Sequence, residues 1–403
     1  MGNVEIAVVG HGLAGSVAAL ALARSGRKVA LIGPAKSGDD KRTTALMDQS
    51  IRFMDRLGLW HQIEPSAAGL KTMQIIDGTQ RLLRAPPAQF RAAELGLAAF
   101  GYNIPNSVLS EVLERAIASE ANIERRDTTV ETAEPSADHV TLTLGDGEIL
   151  TAALAVGADG RNSILRNSAG IDIRKWAYPQ SAVVLNFAHE LPHGNVSTEF
   201  HTETGPFTQV PLPGLRSSLV WVVTPQTAAR LMALPLDELS LEVERRMQSI
   251  LGKVEVEAGA QGWPLSGLMA KRFGRGRIAL VGEAAHAFPP IGAQGFNLSL
   301  RDVMALADLV GNADGSAIAA DTGDRFERRR RPDIMTRTFG VDLLNRSLLS
   351  DFLPMQLVRA GGLHLLSGIG PLRNLLMREG VEPGRGLRDL MTMFKPSWMR
   401  KRA

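Results

Sequence analysis

The sequence predicts an α/β fold: a Rossmann-like nucleotide-binding domain, an antiparallel-sheet substrate domain and a helical C-terminal region. Three observations carry this. Residues 4–32 read as strand, glycine turn, helix and strand in succession. Residues 181–224 change to a period of two, the pattern of antiparallel strands. From Arg277 a short apolar strand runs into a Gly- and Pro-rich turn and an amphipathic helix, so the chain returns to the first domain after leaving it. The 403 residues, 44% hydrophobic and 22% charged, suffice for two or three domains with substantial cores.

The first strand, residues 4–9, ends at Gly10-His11-Gly12-Leu13-Ala14-Gly15, a G-x-G-x-x-G motif. Gly10 permits the tight turn, Gly12 lets a pyrophosphate approach, and Gly15 lets the helix pack on the sheet. Leu13 and Ala14 belong to the same cofactor-binding turn. The helix spans 16–25 and closes at Gly26; a strand over 27–32 follows. The acid that ordinarily ends this strand and holds a ribose hydroxyl is replaced by Gly33, so Asp39, Asp40, or backbone and water must serve instead. Arg42 is a candidate brace for the pyrophosphate.

Residues 48–59 have helical spacing, and residues 61–100 form an insertion without evident chemistry. Asn106 and Ser107 are expected to cap a helix through Ile117. A strand over 128–132 is expected to join the first sheet. Residues 140–144 and 149–155 form a hairpin about Gly145-Asp146-Gly147. Gly157-Ala158-Asp159-Gly160 is a further glycine-marked strand end. Asp159 can cap the next helix, with Arg161 and Arg166 around it; a capped turn and a cofactor contact are both open readings. The strands of 181–224 suggest a separate sheet that walls a substrate cavity, followed by helices over 225–232 and 236–251.

The stretch from Arg277 to Asp302 organises the rest. Ile278 to Val281 reads as a buried strand, and Pro289 and Pro290 then forbid helix. Gly292 and Gly295 let the backbone approach something flat and bulky. Asn297 or Ser299 is expected to cap the helix whose inner face is Leu298, Val303, Leu306, Leu309 and Val310. A strand end, a glycine loop and a helix N-terminus aimed at one point suit a partner that carries or develops negative charge. His286 is read as a hydrogen-bonding group of the turn rather than a general base.

The domain division expected is 1–75, 106–175 and 273–345 for nucleotide binding, 76–105 and 176–272 for the substrate domain, and 346–403 for the C-terminal helical region. Residues 352–377 are rich in Leu, Met and Gly, with Arg359, Arg373 and Arg378 among them, and the tail adds Phe394, Trp398 and basic residues. Two readings stand: a helical pair packed on the body, or a membrane-facing lip whose arginines meet lipid phosphates. The chain has no cysteine, which excludes disulfides and cysteine-ligated metal centres; no metal is expected. A net charge of +3 without a basic, aromatic-interleaved stripe argues against nucleic acid. No apolar run is long enough to span a bilayer, and a strand beginning almost at residue 1 leaves no room for a secretory leader. The expected location is cytoplasmic, with peripheral contact at the inner face of the membrane left open.

With these motifs in this order, the chain resembles the single-component FAD-dependent aromatic hydroxylases of the para-hydroxybenzoate hydroxylase fold, the class A flavin monooxygenases. Within them, residues 294–302 (QGFNLSLRD), Tyr178-Pro179-Gln180, Glu190-Leu191-Pro192-His193 and the Arg-rich helix ending in Asp333 resemble the UbiH/Coq6-type ubiquinone-biosynthesis hydroxylases. The resemblance implies FAD as cofactor, NADH or NADPH as co-substrate, and O2 as the source of the oxygen placed on an electron-rich ring of a prenylated phenol or quinol. It leaves open membership of a ubiquinone-biosynthesis complex. It assigns Gly10, Gly12, Leu13, Ala14, Gly15, Arg42, Val130, Asp159, Gly282, Glu283, Pro289, Gly292, Ala293, Gln294, Gly295 and Asn297 to the cofactor, and the Pro290 backbone carbonyl to the reacting oxygen. Arg42 could equally brace the flavin edge. Glu283 stands where many relatives carry Asp or Asn near the ribityl chain. Two further readings are a prenyl-chain reductase of the same fold and a non-catalytic flavin-bound scaffold.

Overall fold

A computed structural model describes residues 2–34, 40–79, 86–289, 294–311 and 316–349. β1 (Gly2–Val9), α1 (Leu13–Arg24) and β2 (Val29–Ile32) open the chain. β3 (Thr43–Met47), α2 (Asp48–Arg56), α3 (Trp60–Ile63), β4 (Ala68–Gly69), β5 (Thr72–Asp77), β6 (Ala88–Arg91), β7 (Gly101–Pro105) and α4 (Asn106–Ala118) follow. Next come β8 (Ile123–Arg126), β9 (Val130–Pro135), β10 (Val140–Leu144), β11 (Ile149–Gly157) and α5 (Ile164–Ser168). The long β12 (Ile173–His189) leads to β13 (Val196–Thr202), β14 (Gly205–Leu212) and β15 (Arg216–Val223). After α6 (Pro225–Met232) and α7 (Leu236–Arg246) come β16 (Val254–Val256), β17 (Gln261–Ala270), β18 (Gly274–Arg275), β19 (Ile278–Leu280) and β20 (His286–Ala287). Two helices, α8 (Gln294–Val310) and α9 (Thr322–Leu349), complete the described residues.

The first sheet runs β18-β19-β11-β1-β2-β8, with β10 and β9 carried on the N-terminal half of β11. β19, β11, β1, β2 and β8 are mutually parallel, as the βαβ pattern requires. Apart from β8, these strands are rich in Val, Ile, Leu and Ala and mostly buried on both faces. Ile6, Val8, Leu31, Val156 and Leu280 share the main core with Leu20 and Leu22 of α1 and with Leu298, Val303 and Leu306 of α8. The anticipated inner face of α8 is therefore the observed one.

The second sheet runs β20-β17-β12-β15-β14-β13-β5-β6, with β16 on β12. Strand alternation gives it two different faces. On one, Val183, Leu185, Phe187, Phe200, Phe207 and Trp221 pack under α6 and α7. Phe207 stands edge-on to Phe200 (ring centroids 5.8 Å apart) and to Trp221 (5.2 Å), the arrangement ring quadrupoles favour. The other face carries Ser218, which hydrogen-bonds Thr43 of β3 and Asn103 of β7, so it is turned toward the small β3-β7-β4 sheet and the nucleotide-binding side.

Three local expectations are corrected. The strand expected over 128–132 begins at Val130 and pairs antiparallel with β10; the place beside β2 belongs to β8. β8 reads Ile-Glu-Arg-Arg, the polar composition of an edge strand, which hides it from a search for buried parallel strands. The helix expected to reach 251 stops at Arg246, because Gln248 (φ 57°) and Ser249 (φ 51°) turn left-handed. The helix after Pro105 lacks a side-chain cap: Asn106 instead donates to Asp40 (3.1 Å) and accepts from the Thr44 hydroxyl (2.7 Å).

Candidate active site

Three of the sequence motifs meet at one edge because they end adjacent parallel strands. Val9 pairs with Gly157, and Gly157 with Leu280, so the turns after β1, β11 and β19 open side by side. A Cβ on Gly10 would stand 2.2 Å from the Ala158 carbonyl oxygen, and one on Gly282 would stand 3.3 Å from Ala14 Cβ and 3.1 Å from Ser299 Oγ. Gly10 (φ 111°) and Gly282 (φ 60°) both need the left-handed backbone.

Gly12 and Gly15 differ sharply. A Cβ on Gly15 would lie 1.8 Å from the Gly10 carbonyl oxygen, so helix and strand touch there. A Cβ on Gly12 meets nothing within 4 Å. Gly12 is the N-cap of α1, and no side chain among the described residues caps that helix. The first turn of α1 thus begins beside open space at Gly12 with no described side chain on its amides, which suits a phosphate.

The second turn contributes Asp159. Its Oδ2 accepts from the Ile164 (2.7 Å) and Leu165 (3.4 Å) amides, which is the anticipated cap. Ser163 shares the task by accepting from the Arg166 amide. Asp159 Oδ1 is buried without a hydrogen-bond partner among the described residues. Arg166 is buried and donates to the Ala284 and Arg161 carbonyls, tying this turn to the third. Arg161 reaches the Ser266 hydroxyl of β17 instead.

The third turn joins the two large sheets. β19 belongs to the first, and β20 pairs with β17 of the second, Met269 opposite His286. Between them lies a short 3-10 turn, Gly282–Ala284. Asp302 of α8, fully buried, holds it from beneath: Oδ2 accepts from the Gly282 amide (3.2 Å) and lies 2.7 Å from His286 Nε2, while Oδ1 accepts from Arg330 Nε (2.8 Å). Arg330 continues to Asp333, which also receives Arg301 and Arg337. Burial pushes the Asp302 pKa up, but His286 and Arg330 outweigh it and the net direction is down. Burial among like charges pushes Arg301 down to about 10. His286 is the turn's hydrogen-bonding group, as read from the sequence. Asp302 and Arg330 were missed, because partners 28 residues apart leave no local signature.

Arg42 lies within electrostatic reach of Glu283 at this edge. Two hydrogen bonds from Arg42 to Asp40 (each 2.8 Å) raise its pKa against the effect of burial, and the charge of Glu283 adds to the rise. Glu283 is itself exposed. Asn297 does not cap α8. It sits inside the helix, where its amide donates to the Ala45 carbonyl (2.7 Å) and its carbonyl accepts from the Met47 amide (2.9 Å), clamping β3. Ser299 likewise lies within the helix and donates to Gly295. Pro289 is buried, Gln294 is the first residue of α8, and Gly295 is exposed. Val130 starts β9 with its side chain in the main core, so only its backbone could serve a cofactor. Pro290, Gly292 and Ala293 lie outside the described residues, as do Asp39 and everything from residue 350 onward.

These residues fit FAD. The uncapped α1 N-terminus over an open Gly12 suits a pyrophosphate, exposed Glu283 suits hydroxyl groups, and Arg42 supplies a cation. Among the described residues no cluster of His, Asp and Glu could hold a metal, and no helix is long and apolar enough to cross a membrane.

The comparisons agree. The FAD binding domain family matches residues 3–335. The ubiquinone hydroxylase UbiL of Rhodospirillum rubrum is 34% identical over 96% of this chain and 93% of its own length. The 3-demethoxyubiquinol 3-hydroxylase of Escherichia coli is 31% identical over 94% and 98%. Among solved structures, an HpxO variant of Klebsiella pneumoniae complexed with FAD superimposes with a TM-score of 0.75 at 19% identity, covering 94% of this chain and 99% of that one. The p-nitrophenol 4-monooxygenase PnpA of Pseudomonas putida gives 0.68 at 19% identity, covering 98% of both chains.

Proposed function

The chain belongs to the FAD-binding aromatic hydroxylases, the class A flavin monooxygenases related to the ubiquinone hydroxylases, and from that premise we propose that it hydroxylates the ring of a polyprenylated ubiquinone precursor with NADH or NADPH and O2. The observation that carries the reading is the meeting of three glycine turns on adjacent strand ends, beside the junction of the two sheets. Bound FAD would supply hydride acceptance and oxygen activation.

The residues of the chain bind, orient and exclude water. The first turn of α1 takes the pyrophosphate, where a helix end contributes up to about 2 kcal/mol in a partly buried site. Arg42, just before β3, braces the same group. Glu283 and the Asp159 turn take hydroxyls, and Asp302 with His286 and Arg330 keeps the Gly282 amide in place. The start of α8 would meet the negative charge that bound FAD develops, and Pro290 is the residue whose backbone carbonyl the family resemblance assigns to the reacting oxygen.

An apolar substrate tail is supported by the second sheet. On the face away from α6 and α7, Ala182, Val222 and Leu265 cluster with Tyr178, Val184 and Val220. Each buried CH2 of a prenyl chain contributes about 0.8 kcal/mol, so affinity there needs no charged anchor. The basic, aromatic tail of the sequence supports peripheral membrane contact; removing residues 395–403 should then weaken binding to anionic vesicles, and unchanged binding would exclude it.

The test of the reaction is turnover under 18O2. The label should enter the ring product as nicotinamide is oxidised. Nicotinamide oxidation without labelled product would contradict hydroxylation, and oxygen-independent saturation of a prenyl double bond would identify a reductase. FAD-bound protein that oxidises no nicotinamide with any phenolic lipid would identify a scaffold.

A further inference from the structure

We propose that Glu114 of α4, with His11 beside it, holds the adenosine ribose of FAD, a task that an acid at the end of β2 performs in ordinary dinucleotide folds. The inference rests on FAD lying across the glycine turn as described above.

The backbone shows why β2 carries no such acid. A Cβ on Gly33 would lie 2.7 Å from the His11 amide nitrogen and 2.8 Å from His11 Cβ, so no side chain fits unless the turn moves. The imidazole of His11 occupies the neighbouring space, with its side chain only 1% exposed. Its Nε2 lies 2.8 Å from Glu114 Oε1, while Nδ1 has no hydrogen-bond partner among the described residues. The buried ring thus packs beneath the Glu114 carboxylate and helps to fix its position.

Glu114 is anchored through both oxygens and still partly exposed. Its Oε2 accepts from Arg125 Nη1 (2.9 Å), and Arg125 in turn donates to Asp127 (2.8 Å). Arg125 lies on β8, paired with β2, and Asp127 follows the last residue of that strand. The carboxylate therefore stands at the C-terminal edge shared by β1, β2 and β8, the edge that the glycine turn occupies, and it is 37% exposed. Asp40, one of the acids considered from the sequence, is committed to Arg42 and Asn106. A ribose diol donates two hydroxyl protons, and the partly exposed carboxylate accepts one or both, with His11 holding it from the buried side. Burial, helped by Arg125, holds the His11 pKa below its ordinary value and favours the neutral ring, despite the opposing pull of Glu114.

The test compares FAD with FMN, which lacks the adenosine. Apo-protein is titrated with each, following quenching of flavin fluorescence. Glu114→Gln should weaken FAD about tenfold, the scale of a lost charge-assisted hydrogen bond, and leave FMN binding unchanged. Unmutated protein gives an independent measure: FAD lacking the adenosine 2′-hydroxyl should bind about tenfold more weakly than FAD. The inference is overturned if Glu114→Gln binds FAD as the parent does, if it loses FMN and FAD equally, or if the deoxy analogue binds as well as FAD. Parent protein that binds neither flavin would overturn the FAD reading along with it.

Discussion

A methyl group at position 15 has nowhere to go, since its carbon would stand 1.8 Å from the Gly10 carbonyl oxygen. Gly15→Ala should therefore destabilise the protein by about 1–3 kcal/mol or more, as overpacking does, with or without flavin. A thermal melt of the apo-protein checks this, and an unchanged melting temperature would contradict the close packing of α1 on β1. Two histidines set a pH dependence at the same scale. Burial lowers the pKa of His11 and of His189, whose ring nitrogens lie 2.9 Å from the Leu191 carbonyl oxygen and 3.0 Å from the Ser217 hydroxyl. Below the unfolded value of about 6.5 the unfolded chain binds more protons than the native one. The stability these neutral rings contribute is full above that pH and is lost as pH falls through their folded pKa values. Denaturant midpoints should fall from pH 7 to pH 5, and His189→Gln should fall less steeply; parallel slopes would contradict this.

At the scale of elements, α8 does more than its amphipathic pattern shows. Asn297 clamps β3 through two hydrogen bonds to backbone groups 250 and 252 residues away. Asn297→Ala leaves both without this partner and should cost about 1–3 kcal/mol in denaturant unfolding. Asp302→Asn removes the charge that faces Arg330 in a buried site, for which about 3–5 kcal/mol is typical when one partner of a buried pair is lost. Flavin retention should fall with it, because asparagine keeps one acceptor oxygen where Asp302 uses two, one for the Gly282 amide and one for Arg330; a variant of parental stability and colour would show that the network does not hold the turn. What was legible in the sequence follows the range of the signal. The hairpin of β10 and β11, the bounds of α6 and the inner face of α8 are fixed by spacing within a few residues. Asn106 and Asn297 look like caps locally, but their partners are set by tertiary approach. The same holds for Asp302 with Arg330 and for Glu114 with His11: each pair exists only once two distant helices or turns have docked.

Across the whole molecule, one crossing makes the site. The chain leaves the first, largely parallel sheet at Leu280, turns at Gly282, and enters the second, largely antiparallel sheet at His286. A cofactor held at that turn lies between a nucleotide-binding edge and a sheet with an apolar face, which is why the glycine motifs and the period-two strands could be read as parts of one site. The short β20 that closes the crossing was not legible, since two residues carry no periodicity. The most direct measurement of this account is the absorption spectrum of Gly12→Val purified beside the parent. The added side chain meets no protein atom at its Cβ, so the apo-variant should melt with the parent, while its place over the first turn of α1 is the place assigned to the pyrophosphate. The account predicts a folded, colourless variant that does not recover flavin absorbance when FAD is added. A variant that purifies as yellow as the parent would contradict it.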